Sequence, residues 1–291
     1  MIFISFIQGD YTSANKYAEK DFKNAQEIGN EDMVALSFND LGLLAYAQEK
    51  YDKAEEIFKK GLKIGKESGN KELIASNLRF LGRLAKIQEK YTKAKTFFEE
   101  SLKINEEIGE KGGIADNLIE LSDLAKNQGN IDEAIRRIGE AQAISNEIKD
   151  RSRIANVLEK QGSLAEAQGD YQQDQKYYEE SLEIYELLGN KIEIASIYSK
   201  LGEIAIASGN YEDAKRYLKE SLKIEGAKSL IAPRQASLGL VYLKTEDFNE
   251  AERLLLGALE IFERLGDTEM IKMVNQLLEQ ARKGKLDKNK L

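Results

Sequence analysis

Apolar positions recur at steps of three and four along almost the whole chain. In residues 31–47, Val34, Phe38, Leu41, Leu44 and Ala45 share a face; in 51–64, Tyr51, Ala54, Ile57, Phe58, Leu62 and Ile64 do the same. That spacing is the period of an amphipathic helix. A short polar break, Gln48-Glu49-Lys50, divides the two segments, with Gln128-Gly129-Asn130 and Gln168-Gly169-Asp170 as counterparts. A longer break is expected at Gly29-Asn30, Gly69-Asn70 and Gly189-Asn190, where glycine can end a helix in the left-handed region. The pattern predicts helical hairpins, each a helix A followed by a helix B.

The hairpins repeat every forty residues. Leu41-Gly42, Leu81-Gly82 and Leu201-Gly202 stand in phase, with Leu121-Ser122 and Gln161-Gly162 at matching places and Leu238-Gly239 three residues early. Helix B opens on Tyr11, Tyr51, Tyr91, Ile131, Tyr171, Tyr211 or Phe248, followed three residues later by alanine, except at Asp174. A glycine inside a helix costs about 1 kcal/mol of propensity. Its recurrence at one phase implies close backbone approach, expected between Gly42 on helix A and Ala54 on helix B.

Composition narrows the chemistry. The chain has 291 residues, 43 basic and 51 acidic, with a formal charge of -8 and a single proline, Pro233. It has no cysteine and no histidine, which excludes disulfides, thiolate metal sites, cysteine nucleophiles and the serine–histidine–aspartate mechanism. The acidic balance argues against a nucleic-acid partner. The apolar start, Met1 to Ile7, is far short of the roughly 20 residues a membrane helix needs and lacks a signal-peptide pattern. Glu56 and Lys60, like Glu55 and Lys59, have the spacing of helix-stabilising pairs rather than of a catalytic carboxylate pair. Gly112-Gly113 lacks the context of a phosphate loop, and no cluster has calcium-loop spacing. The expectation is a soluble cytoplasmic protein that is not an enzyme, holds no cofactor or metal, and binds neither nucleic acid nor membrane.

Phe38, Leu41, Gly42, Ala45, Ala54, Phe58 and Gly61, and in the last unit Leu238, Gly239, Tyr242, Ala251, Leu255 and Ala258, resemble the tetratricopeptide repeat pattern. The family's ordinary unit is about 34 residues. Here six more follow Gly61 or Ser101, so the chain resembles a forty-residue subclass, and a longer connection would account for the family's missing late proline. The resemblance covers roughly residues 8–267. It implies an all-α, right-handed α-solenoid of stacked antiparallel helical hairpins in one array. Its parts are a half repeat 1–30, repeats 31–70, 71–110, 111–150, 151–190, 191–230 and 231–267, and a capping helix with tail, 268–291. It further implies non-catalytic binding of another protein or peptide in a concave groove lined by helix A. The alternative is a sensor segment of a larger regulator that binds a small ligand or peptide.

Candidate groove residues are those between the core positions of helix A: Asn39, Leu43 and Tyr46; Arg79, Arg83 and Lys86; Asp116, Glu120, Asp123 and Asn127; Glu159, Lys160 and Ser163; Lys200 and Glu203. The basic stripe Arg79, Arg83, Lys86 admits two readings. It could grip the carboxylates of an acidic peptide, since arginine forks bind carboxylates at two points. It could instead neutralise the stripe Asp116, Glu120, Asp123 on the next helix A. The lysine and asparagine clamp by which chaperone-binding members hold a C-terminal carboxylate is not reproduced, since Asn39 is followed by Leu43.

At the start, Ile2, Phe3, Ile4, Phe6 and Ile7 lack a full helix A, so this end reads either as part of a longer array or as a self-association face. At the other end, 268–283 reads as an amphipathic cap, and Lys283, Lys285, Lys288 and Lys290 as a solvated, frayed tail. The departures Ser122, Ile131, Gln161 and Asp174 all fall in units four and five, which predicts the loosest packing there. Amide exchange across residues 155–180 should then outpace that of the other hairpins; equal protection would remove the idea.

Overall fold

The computed structural model describes residues 1–8, 10–224 and 231–288, side chains of residues 31 and 32 excepted; every regular element described is an α-helix. The chain forms two compact units, Met1–Gly169 and Asp170–Leu291. The first holds α1 (Ile2–Ile7), α2 (Tyr11–Ile28), α3 (Glu31–Ala47), α4 (Tyr51–Ser68), α5 (Lys71–Ile87), α6 (Tyr91–Ile108), α7 (Lys111–Asn127), α8 (Ile131–Glu147) and α9 (Arg151–Gln168). The second holds α10 (Tyr171–Leu188), α11 (Lys191–Ala207), α12 (Tyr211–Lys223), α13 (Ile231–Lys244), α14 (Phe248–Leu265) and α15 (Thr268–Lys288). In each unit helices pack on their neighbours in sequence, and α5 touches α7 as α7 touches α9. This is an α-solenoid of stacked antiparallel hairpins.

The polar breaks work through caps. Gly69 ends α4 at φ 71°, and Asn70 accepts from the Leu73 N–H to start α5. That pairing of a left-handed stop with an asparagine cap needs no further chain. The longer connection expected from the repeat length is therefore absent. The six extra residues extend helix B instead: α4, α6 and α10 each run 18 residues. The missing proline needs no long loop, because the glycine already stops the helix.

The space at the glycine is filled by a bulky side chain of helix B, four residues beyond the alanine expected there. A Cβ on Gly42 would lie 2.5 Å from the Phe58 ring, and one on Gly82 2.5 Å from Phe98. Leu218 fills the same place over Gly202, and Leu255 over Gly239. Ala54, Ala94, Ala134, Ala214 and Ala251 are wholly buried beside these contacts. Ser122 replaces the glycine without loss, since its hydroxyl donates to the Ala134 carbonyl at 2.8 Å. A second tie runs between hairpins: Asn117 donates to the Ser101 hydroxyl at 2.9 Å, which donates to the Ala75 carbonyl at 2.7 Å.

The other departures are also accommodated. Ile131 packs against the cluster around Ala134 and Ile138, Gln161 donates to Gln142 at 3.0 Å, and Asp174 is buried. The boundary between the compact units falls after Gly169, within that stretch. At the C-terminal end the cap is longer than expected. Gly284 admits the Phe248 ring, and α15 continues to Lys288. Lys285 pairs with Glu252, and Lys288 donates to the Glu246 carbonyl at 2.7 Å. The expectation of a solvated tail is thus corrected for these two lysines; Lys290 lies outside the described residues.

Two alanine substitutions separate crossing from propensity. Gly82→Ala should lower stability by about 1–3 kcal/mol through overpacking against Phe98, despite the propensity gained. Gly139→Ala, with nothing within 4 Å of the new Cβ, should raise it by about 0.5–1 kcal/mol. Urea denaturation reads both signs.

Candidate functional site

In the first unit, successive A helices lie beside one another in a constant register, in which residue i faces residue i + 37. Asn39 donates to Ser76 at 3.1 Å with this separation. Arg153 donates to Asp116 at 2.9 Å with the same one, and Lys86 to Asp123 at 2.6 Å. The forty-residue period less three fixes the register, so charged stripes in phase on two A helices must meet.

They meet as a ladder across α5, α7 and α9. Arg79 pairs with Asp116 at 3.3 Å, and Arg83 with Glu120. Lys86 bridges Glu120 at 2.9 Å and Asp123 at 2.6 Å. Arg153 closes the other side of Asp116 and also pairs with Asp150. Beneath the arginines, the Phe58 and Phe80 rings stack 4.7 Å apart, only 6° from parallel. The Arg79 and Arg83 guanidinium carbons lie 5.0 and 5.4 Å from the Phe80 centroid. Each arginine therefore has a carboxylate at its edge and an aromatic face below.

Burial would raise the Glu120 carboxyl, but Arg83 and Lys86 outweigh it and hold it far below the usual carboxylate range. Asp123 is lowered likewise, burial being outweighed by Lys160 and Lys86. For Lys86, burial pulls the ammonium down, but Glu120 and Asp123 raise it above its ordinary value.

The remaining predicted residues divide. Leu43 packs against the cluster around Phe58 and Phe80. Tyr46 meets Tyr51 edge to face at 5.9 Å, and burial raises its hydroxyl. The Asn39 side-chain oxygen is buried without a hydrogen-bond partner among the described residues. Asn127 is exposed at the end of α7. Lys160 is half-buried and its charge acts on Glu120 and Asp123. Lys200, on α11, bonds Glu203 at 2.7 Å. In this structure the carboxylates on Arg79 and Arg83 are the chain's own, from Asp116 and Glu120.

Arg153 is the member that sequence reasoning missed. The signal was there, since it lies one register step beyond Asp116, as Lys160 does beyond Asp123. Among the described residues, no helix is long and apolar enough to cross a membrane.

Glu120→Gln should destabilise the chain by about 3–5 kcal/mol, because Arg83 and Lys86 lose the buried charge between them. Because the folded carboxyls of Glu120 and Asp123 lie below their ordinary values of 4.5 and 3.8, their contribution is present above that range and lost as pH falls below it. Chemical denaturation from pH 7 to pH 3 should show this loss in the parent and less of it in Glu120→Gln.

Known proteins share this architecture. A STAND signal-transduction ATPase with a tetratricopeptide repeat sensor, from Pyrococcus horikoshii, superposes with a TM-score of 0.69 at 15% identity, over 94% of this chain and 42% of that one. A Rap protein complexed with competence and sporulation factor gives 0.65 at 14% identity, over 86% and 75%. BtubC from P. vanneervenii gives 0.53 at 21% identity, over 75% and 90%. Identities this low speak to the fold alone. No curated protein sequence matches the chain. Sequence profiles of the tetratricopeptide repeat match residues 34–68, 80–108, 153–224 and 235–265, together more than half of its length. With hairpins, crossings and profiles in agreement, the chain belongs to the tetratricopeptide repeat family.

Proposed function

We propose that this chain is a non-catalytic binding scaffold that holds another protein or peptide along the helix-A face of α3, α5, α7 and α9. The observation that carries the reading is the shared register, which sets side chains from successive A helices in line. The ladder of Arg79, Arg83, Lys86, Glu120, Asp123 and Lys160 holds that face in one arrangement. Asn39, Leu43, Tyr46 and Asn127 flank it as contacts. The Rap protein, crystallised with competence and sporulation factor, supports peptide capture by such a fold. A second reading, a sensor segment of a larger regulator, is supported by the likeness to the repeat sensor of the STAND ATPase.

A charge swap tests the face without dismantling it. Arg83→Glu alone should lower both the melting temperature and capture of a bound protein. Adding Glu120→Arg restores the pair with its signs exchanged, so melting should recover in part, the new arginine lying near Lys86 and Lys160. Capture should stay lost, since the field presented to the partner is reversed at that rung. A double variant that captures its partner as the parent does would reject the helix-A face as the binding surface.

A further inference from the structure

A cavity of about 420 Å³ lies between α2, α3 and α4, with Leu41, Ala45 and Ile57 as the apolar part of its lining. Its size falls in the range of about 300–1,000 Å³ typical of ligand sites. At the same repeat phase eighty residues on, between α6, α7 and α8, the space shrinks to about 60 Å³. Sequence accounts for the difference. Asn15 and Ile57 stand where that later seam has Lys95 and Arg137, and Arg137 pairs there with Glu133 at 2.7 Å.

The seam forty residues on shows what completes this space. Phe97 on α6 takes the place of Ile57. It packs against the clusters that hold Leu81 and Ala85, the counterparts of Leu41 and Ala45. The Lys93 ammonium lies 5.5 Å from the centroid of that ring. Lys93 corresponds to Lys53, which borders the α2–α4 cavity. The cavity therefore keeps the apolar bed and the lysine of this arrangement and lacks the ring that sits between them. An aromatic ring gains more there than an aliphatic group, because its face attracts a cation.

Charges of both signs surround the same opening. Lys50 and Lys53 border it with Glu19, and all three are exposed. None of them forms an ion pair among the described residues; Lys50 donates to Gln48 at 2.7 Å, and Glu56 near Lys53 is taken by Lys60 at 2.6 Å. In the next seam Lys59 replaces Glu19 and pairs with Glu55 at 2.7 Å. Here Asn15 replaces Glu55, so that internal pair is missing and Glu19 is left facing outward. A purely anionic ligand would meet Glu19, and a purely cationic one Lys50 and Lys53. A group bearing both charges satisfies both.

We propose that the α2–α4 cavity binds a free aromatic α-amino acid, its ring on Leu41, Ala45 and Ile57 beside Lys53, its ammonium at Glu19 and its carboxylate at Lys50 and Gln48. This goes beyond the scaffold reading, since none of these residues belongs to the charged ladder of the helix-A face.

The test uses the full chain with labelled isoleucine, leucine and alanine methyl groups, titrated with tryptophan and followed by NMR. Saturable shifts at Leu41, Ala45 and Ile57 should give a dissociation constant below about 1 mM. Indole-3-propionate, which lacks the ammonium, and tryptamine, which lacks the carboxylate, should each bind about fivefold more weakly, and leucine should not saturate. Ile57→Phe supplies the ring that Phe97 gives the next seam, so it should abolish binding while the melting temperature stays or rises. Glu19→Gln should remove the preference for tryptophan over indole-3-propionate. Arg83→Glu with Glu120→Arg should leave tryptophan binding unchanged. Absence of saturable shifts up to about 10 mM tryptophan, equal binding of leucine, or full affinity in Ile57→Phe overturns the proposal. If Ile57→Phe does not fold, Glu19→Gln decides, since a preference that survives it overturns the assignment of the ammonium. Failure here with capture still lost in the charge swap leaves the scaffold reading standing.

Discussion

Where helix A meets helix B, a side chain of one occupies the volume that a Cβ of the other would need. Phe58 stands over Gly42, Phe98 over Gly82, Leu218 over Gly202 and Leu255 over Gly239. Tight packing of this kind leaves little freedom in the rotation or translation of either helix, because interiors are packed at crystalline density and resist small shifts. Fixing each hairpin also fixes the face its A helix presents. The constant register between neighbouring A helices, and hence every ion pair of the ladder, follows from that geometry.

The ladder illustrates how buried charge trades stability for definition. Taking Glu120, Arg83 and Lys86 out of water costs several kcal/mol per ion, and the mutual attraction recovers it only when partners are correctly placed. An apolar row would hold the helices as well but would tolerate slippage along the seam. The basic stripe of α5 against the acidic stripe of α7 does not, since a shift of one turn would leave a charge without its partner at each end of the seam. Specificity of stacking is the benefit that outlasts the desolvation cost. The phenylalanine stack under Arg79 and Arg83 lowers that cost by offering the guanidinium planes an attractive surface.

Much of this was legible in the residues themselves. Leu-Gly pairs every forty positions gave the hairpins, and the opposed stripes Arg79, Arg83, Lys86 and Asp116, Glu120, Asp123 gave the ladder's two central rails. What escaped was set by geometry that sequence does not spell out. Helix B absorbs the extra length of the repeat because a left-handed Gly69 followed by the Asn70 cap stops the chain only there. Lys285 and Lys288 look like a free tail, yet a helix continued past Gly284 carries them onto Glu252 and Glu246. Arg153 escaped because its partner, Asp116, had already been matched with Arg79; a carboxylate with two oxygens accepts from both.

The breaks between helix A and helix B are unequal in a way that bears on how the array comes apart. Gly129 adopts its left-handed turn at φ 77° without steric penalty, whereas Glu49 and Glu89 hold φ 59° and 57° with a full side chain. Each such glutamate stores roughly 1–2 kcal/mol of strain. In a repeat array, stability is close to a sum of unit and nearest-neighbour terms. The α7–α8 hairpin, with Gly129 and the Ser122 tie, then carries no such turn strain. The hairpins closed by Glu49 and Glu89 each give up part of their unit term to the turn, so like helix pairs are joined at unlike cost from one repeat to the next.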